Sequence, residues 1–487
     1  MLYDENYLSF NQIMNNTIEI SEEEAETLSN MKAETLLSIA NDARTITDSN
    51  RRKSLYGRYT TANEYVPIKT RKLTKIVNGN TVINNDPSLI NKKINLPLDN
   101  IIIKTAVGYL LGNAITTNVE EVFYNNEETF NTASDLVKNY IIRSNFDDVN
   151  SDMATYANTC GFGVKILSNS GERIYSKTVN PWEITFFGSY TEPVAALRIY
   201  TIQELKDNKI QDVKIMEYYD DKTISYYKVE NDSNIKLSKV IEHSFGSCPV
   251  IGFPISNEVM GRGEKVLTMI DALDELISDF SSEITASRYA QMLVSGYDEP
   301  ENENEGDAQK QAFLSNRLLV TNENSKVQWI SRDLDSNVFK EMYDKLETNI
   351  YSLSATPNMT DENFNTSSGT ALSYKMQAFS QEMATQQRKF IRGFRREFEL
   401  ISNFYMNLGL FIDPLSITFK FNLKEPKNVK EQSEIFNNYY NKIPIREALK
   451  AAGFTDIEAI ATRIELDKET ELNDFRLEEI EEVKEVD

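Results

Sequence analysis

The 487-residue chain has one histidine, two cysteines and two tryptophans, and each scarcity removes a class of chemistry. His243 could in principle activate Cys160 or Cys248 as a nucleophile. Neither cysteine, however, stands in a glycine-rich or elbow-like context, so a buried His and two buried thiols in or near a β-core are expected. Two cysteines in so long a chain build no disulfide framework and fit free thiols in a reducing compartment. The start, MLYDENYLSFNQ, has no basic stretch ahead of an apolar run, so it does not read as a secretory signal. No run is long and apolar enough to cross a bilayer. The most apolar, 101–115, carries Lys104 and reads as a buried helix, so no membrane partner is expected. The glycines at 261–263 (GRG) lack the Lys-Ser/Thr pair that ends a phosphate loop, and a turn entering a helix is expected there. A surplus of positive charge is also missing. With 75 acids against 52 bases the net charge is −23, which argues against a surface built to grip phosphates. Such a surface suits a polyanion that must slide past without sticking. No internal repeat breaks the chain into like units.

What the chain does have is apolar bulk. Hydrophobic residues make up 40%, with 24 Tyr and 24 Phe, enough for a sizeable core in two to four structural units. SEEE at 21–24 is a capping box opening a helix to about Ala43. Residues 51–100 look basic and loop-rich; over 51–75, Arg51, Arg52, Lys53, Arg58, Lys69, Arg71, Lys72 and Lys75 face only Glu64, and NGN at 78–80 marks a turn. Helical spacing predicts a helix over 96–115, N-capped by Asp99 and stopped at Gly112, then helices over 128–142 and 147–159. From Gly161 to about Phe253 short runs such as GFGVKIL, VAALRIY and TISYYKV predict a β-rich unit.

Residues 264–290 predict a long helix with a heptad-like stripe of Val266, Ile270, Leu273, Ile277, Phe280 and Ile284. Two strands, 291–297 and 316–331, flank DEPENENEGD (298–307), a solvated acidic loop. A second long helix covers 336–354, with Phe339, Met342, Leu346, Ile350 and Leu353 as its stripe. A polar loop, 355–369, leads into a very long helix from Thr370 to Leu408, and SITFKFNL (416–423) is a strand. Short helices fill 428–466. From Thr455 the end carries 13 acids against 4 bases, a net of −9, and a frayed acidic tail is expected.

Two charge clusters stand out. Asp271, Asp274 and Glu275 share a helix face, as a solvated acidic wall rather than a metal site. Arg388, Arg392, Arg395 and Arg396 share another, open either to a DNA or partner contact or to pairing with acids of neighbouring elements. No catalytic residue, metal ligand or cofactor is expected.

Four blocks together resemble the portal family of tailed bacteriophages, in the form common among phages of Gram-positive bacteria. They are INLPLDNIIIKTAVGYLLGNAI, NPWEITFFGSYTEPVAALRIY, IEHSFGSCPVIGFPISNEVMGRGEKVLTMIDALDELISDF and LETNIYSLSATPNMTDENFNTSSGTALSYKMQAF. They occur in the family's order and cover roughly 50 to 420. The resemblance implies an α+β portal fold with a mainly helical wing and crown, a β-rich wing subdomain, a two-helix stem and a small α/β clip. On this chain the wing would be 1–263 with 370–425, the stem helices 264–290 and 336–354, the clip 291–335, the tunnel loop 355–369, and the crown with its acidic tail 426–487. It also implies a closed ring, typically of twelve copies, at one capsid vertex of the virion, assembled in the host cytoplasm. Double-stranded DNA would pass through it during packaging and ejection. The large terminase, scaffolding protein, major capsid protein and head-completion adaptor would be the partners. Asp361, Glu362, Asn363, Phe364 and Asn365 would face DNA from the tunnel loop. Asp271, Asp274, Asp279 and Lys345 would line the channel, and Asp298, Glu299, Glu301, Glu303 and Glu305 would serve docking at the clip. The competing readings are another virion protein, from capsid or tail, and an enzyme. The first would not need this order of helix, β-clip, helix, loop and long helix, and the second lacks its motif.

Overall fold

The structure is a computed structural model. It describes residues 17–18, 33–61, 73–77, 80–84, 92–171, 173–206, 209–231, 234–287, 291–295, 326–330, 336–358, 369–423, 429–440, 442–454 and a few positions of 457–466. The fold is α+β, as expected.

Helices α1 (Ala33–Ala40) and α2 (Ala43–Tyr59) open the described chain. The segment from 51 to 59, read from sequence as loop, is the second half of α2. Its arginines hid the helix, because their partners lie far away in sequence. The hairpin β2–β3 (Leu73–Val77, Asn80–Asn84) pairs Val77 with Asn80, as the NGN turn signal predicts. Helix α3 (Leu98–Leu111) is flanked by Pro97 and Gly112. Asp99 is not its cap; it lies one residue inside and pairs with Arg58. Strand β4 (Thr116–Val119) follows, then α4 (Glu127–Arg143), capped where Asn126 accepts from the Thr129 N–H, and α5 (Phe146–Cys160).

The β-rich unit holds two sheets. The first is three-stranded, ordered β12 (Val250–Pro254), β5 (Phe162–Ser170), β6 (Arg173–Val179), all antiparallel. The second is six-stranded. The two-residue β1 (Thr17–Ile18) lies parallel to β7 (Ile184–Gly188), and β8 (Pro193–Lys206), β9 (Lys209–Tyr219), β10 (Thr223–Asn231) and β11 (Asn234–Glu242) follow as antiparallel neighbours. Period-two alternation sets its two faces. Phe186, Ala196 and Tyr219 pack toward Phe162, Val164 and Val250 of the smaller sheet. Phe187, Ala195, Leu197, Met216 and Tyr218 pack on the other side against Leu36 and Leu37 of α1.

After a single 3-10 turn at Glu264–Val266 comes α6 (Leu267–Ser287). The strands β13 (Gln291–Ser295) and β14 (Lys326–Ile330) pair antiparallel, and α7 (Ser336–Leu353) returns against α6. Helix α8 runs 39 residues, Gly369–Asn407, followed by β15 (Ile417–Lys420), which pairs with β4, and by α9 (Val429–Tyr439) and α10 (Ile445–Ala451).

Helix α8 is the spine of the largest core. Phe379, Phe390, Phe394, Phe398 and Phe404 meet Tyr109 of α3, Tyr140 of α4, Phe146 of α5 and Phe253 of β12. Gly393 lets that strand approach. A Cβ there would lie 2.3 Å from the Phe253 ring, which is fully buried. Alanine normally favours a helix interior over glycine, but here it overpacks. Gly393→Ala is therefore expected to lose about 1–3 kcal/mol in denaturant unfolding, and a gain in stability would show the approach to be slack.

Candidate functional site

The two long helices expected at 264–290 and 336–354 pack as a pair. Its seam is apolar: Val266, Ile270 and Leu273 of the α6 side are buried against Ile350 and Tyr351 of α7, with Tyr343 and Leu346 packed beside them. Phe280 and Phe339 stack farther along, 3.9 Å between centroids and 14° from parallel. The α7 seam is thus Phe339, Tyr343, Leu346 and Ile350. Met342 and Leu353, placed in the stripe from sequence, are exposed. An aromatic with a hydroxyl filled the position that a count of apolar letters assigned to Met342.

One flank of α6 is braced twice. Arg51 pairs with Glu264, and Arg58 pairs with Asp271 at 2.6 Å and with Asp99 at 3.1 Å. Both arginines and both acids are seven residues apart. Two helical turns rise about 10.5 Å, so α2 lies alongside this stretch in the same direction with its charges in register. The second brace is a ladder. Backbone N–H groups of Leu96, Ile94 and Lys92 donate to Asp274 Oδ1, Ser278 Oγ and Ser282 Oγ, at 2.9, 2.9 and 3.0 Å. Two residues of extended chain span about 6.6 Å and four residues of helix about 6.0 Å. That near match lets every second N–H meet one side chain per turn.

The brace is short of positive charge. Asp99, Asp271 and Asp274 surround the one guanidinium of Arg58. Burial opposes the charge on Arg58, but Asp99 and Asp271 hold its pKa above the usual value. Burial pushes Asp274 up to about 7; the Leu96 N–H and Arg58 oppose the shift, and Asp99 and Asp271 add to it. Asp271 is raised too, again chiefly by burial, with Arg58 opposing.

The expected channel residues therefore divide. Asp274 has no exposed surface and Asp271 is turned to Arg58, so both point into the subunit and neither stands on an open wall. Asp279 is exposed, and the Lys345 side chain is 71% exposed beside Glu341. Sequence spacing put Asp271, Asp274 and Asp279 on one helix but could not say which face the segment 92–97 covers. Asp361, Glu362, Asn363, Phe364 and Asn365 lie outside the described residues, as do Asp298, Glu299, Glu301, Glu303 and Glu305.

Elsewhere the chemistry is quiet. Cys160 and Cys248 are buried, and burial pushes both thiols up to about 12, so neither is a nucleophile at neutral pH. The thiols face the backbone carbonyls of Arg52 and Tyr219, while His243 contacts the Asp220 carbonyl at 3.2 Å. In the GRG turn a Cβ at Gly261 would lie 2.2 Å from the Thr159 carbonyl oxygen. Arg262 reaches Asn158, Glu382 and Gln386, so the turn ties α5 to α8. Among the described residues no cluster of acids, cysteines and histidine could hold a metal, and no helix is long and apolar enough to cross a membrane.

Sequence reasoning missed the most buried charges. Lys165 of β5 donates to Glu397 of α8 at 2.6 Å and to Asn150 of α5 at 2.8 Å, and the Tyr140 hydroxyl of α4 donates to Glu397 at 2.6 Å. Both charged side chains are wholly buried. The one available signal was a lysine in the apolar run GFGVKIL.

No curated protein matches the chain. A family model described as phage portal protein, SPP1 Gp6-like, matches residues 47–485. That span takes in the braced helix pair, both sheets of the β-rich unit apart from the two-residue β1, and the long α8 spine, and it places the chain in the phage portal protein family.

Proposed function

We propose that copies of this chain, twelve in the expected number, close into a ring around a channel for double-stranded DNA at one capsid vertex. The observation that carries this reading is the asymmetry of the α6–α7 pair. Its seam is apolar, one flank is pinned by α2 and the 92–97 segment, and polar groups such as Asp279 and Lys345 stay exposed. A helix pair of this build suits the wall of a hole. We assign the channel face to Asp279 and Lys345 and give Asp271 and Asp274 to the brace. DNA carries a charge about every 1.7 Å, so exposed acids such as Asp279 discourage sticking.

The rest of the assignment follows the order of segments. Residues 355–369, with Asp361, Glu362, Asn363, Phe364 and Asn365, form the loop that touches DNA. Residues 291–335, with Asp298, Glu299, Glu301, Glu303 and Glu305, dock the large terminase and later the head-completion adaptor. Wing (1–263 with 370–425) and crown (426–487) meet scaffolding and major capsid protein during assembly in the host cytoplasm. The ring itself hydrolyses nothing; the terminase supplies the ATPase.

Negative-stain electron microscopy with mass photometry tests the reading. Closed rings with a central hole, of a mass near twelve subunits, are expected. Monomers that persist with scaffolding protein present would move the chain to another virion role. Changing Asn363, Phe364 and Asn365 together to Gly is expected to impair packaging; normal packaging would remove the loop from the DNA path.

A further inference from the structure

A subunit at −23 must repel its own copies, so a ring of them needs contacts that set cations of one copy against anions of the next. The exposed face of α8 carries such cations. Arg388 folds its guanidinium onto its own helix, at the Ala384 carbonyl and the Thr385 hydroxyl. Arg395 is exposed, and Arg392 has one solvent-facing pair, with Glu192. Arg388 and Arg395 have no acidic partner among the described residues.

A second surface complements them. Just before α4, Val122 is 83% exposed and Phe123 is exposed beside it, while Leu415 is 74% and Phe411 52% exposed. These belong to one patch, since Tyr124 packs on Phe411 and its hydroxyl accepts from the Asp413 N–H. Glu121 directly precedes Val122 and is exposed, as are Glu120, Glu127 and Glu128 on the same stretch of chain. A contiguous apolar patch flanked by charge is the composition of a contact surface.

The two surfaces are distinct. Arg388 and Arg395 stand about 180° and 160° round α8 from the buried Glu397, while the patch lies between the start of α4 and the chain just beyond the end of α8. A contact between two different surfaces is head-to-tail, and its repetition closes a ring where the rotation allows.

We propose that the Arg388–Arg392–Arg395 face of one copy docks on the acid-flanked apolar patch of Val122, Phe123, Phe411 and Leu415 in the next copy. The proposal rests on the ring reading above and names the surfaces that close the ring. The test is charge reversal in the full chain, with ring yield read by mass photometry. Arg388→Glu with Arg395→Glu is expected to cut ring yield by about tenfold or more, the penalty of like charges at an interface. Glu121→Arg with Glu128→Arg is expected to do the same. All four in one chain are expected to recover most of the rings, a rescue that a folding defect would not give. Wild-type yield in either reversed pair, or no recovery in the fourfold variant while its circular dichroism matches wild type, overturns the pairing. Normal rings with weakened duplex-DNA binding in the arginine variant would reassign that face to DNA and also overturn it. If wild-type protein forms no closed ring, the ring reading itself falls, and the pairing with it.

Discussion

Glu397→Ala is expected to cost about 3–5 kcal/mol of unfolding free energy, because it strands a buried ammonium. Lys165 lies in β5 with no exposed side-chain surface, among the rings of Phe146, Phe253 and Phe394 at 4.9, 5.4 and 5.5 Å. Burial lowers its pKa, and Glu397 is the charge that opposes the shift. Without the carboxylate, Lys165 must lose its proton or draw in water, and the Tyr140 hydroxyl loses its acceptor as well. The double variant Lys165→Met, Glu397→Leu should fall much closer to wild type, since shape is kept and no charge remains to pair. Tyr140→Phe should cost only about 1–2 kcal/mol, one buried hydrogen bond to a charged group. Guanidinium unfolding of the four proteins forms the test. A Glu397→Ala loss within the roughly 0.5 kcal/mol of a surface change would mean that the pair is not buried in the folded chain.

This pair also shows where sequence reading stops. Elements announced by their own periodicity were legible: α4, α5, α6, α7 and α8 all fall within a few residues of their apolar spacing, and the strands of the β-rich unit follow their alternation. What failed depended on partners distant in sequence. The arginines of α2 read as a basic loop because Glu264 and Asp271 are about 213 positions away in the chain. Asp99 read as a cap because its local setting suits one, yet Arg58 holds it. The burial of Asp274 was not legible because a one-dimensional stripe does not show which flank the 92–97 segment covers. The order of segments was legible as a whole, and the family match over 47–485 bears out the portal reading that rested on that order.

Asp274→Asn should change how stability depends on pH, more than it changes stability at any one pH. The groups facing Asp274 are Arg58 from α2, Asp99 from α3, Asp271 from its own helix and the Leu96 N–H, while α7 packs Ile350 and Tyr351 into the apolar seam with Ile270 and Leu273 of the same helix. Its pKa is about 7 in the folded chain against an ordinary 3.8. Between those values the folded state binds more protons than the unfolded one, so this group's contribution falls as pH rises from about 4 to 7 and is spent above it. Three units at ~1.4 kcal/mol each would give about 4, and screening at the partly open edge of the cluster reduces the expectation to about 2 kcal/mol. Asparagine still accepts from the Leu96 N–H but never ionises. The variant should therefore match wild type near pH 4 and exceed its stability above pH 8, with the gap opening between. Unfolding midpoints across that range decide it, and parallel curves would show that Asp274 carries no extra proton. Asp271→Asn should show the same trend more weakly, because Arg58 pairs directly with Asp271 and opposes the shift. The difference in degree follows from charge count: three carboxylates share one guanidinium, so the brace holds best when one of them keeps its proton, and Asp274, with a single backbone donor and no direct cation, is the one that does.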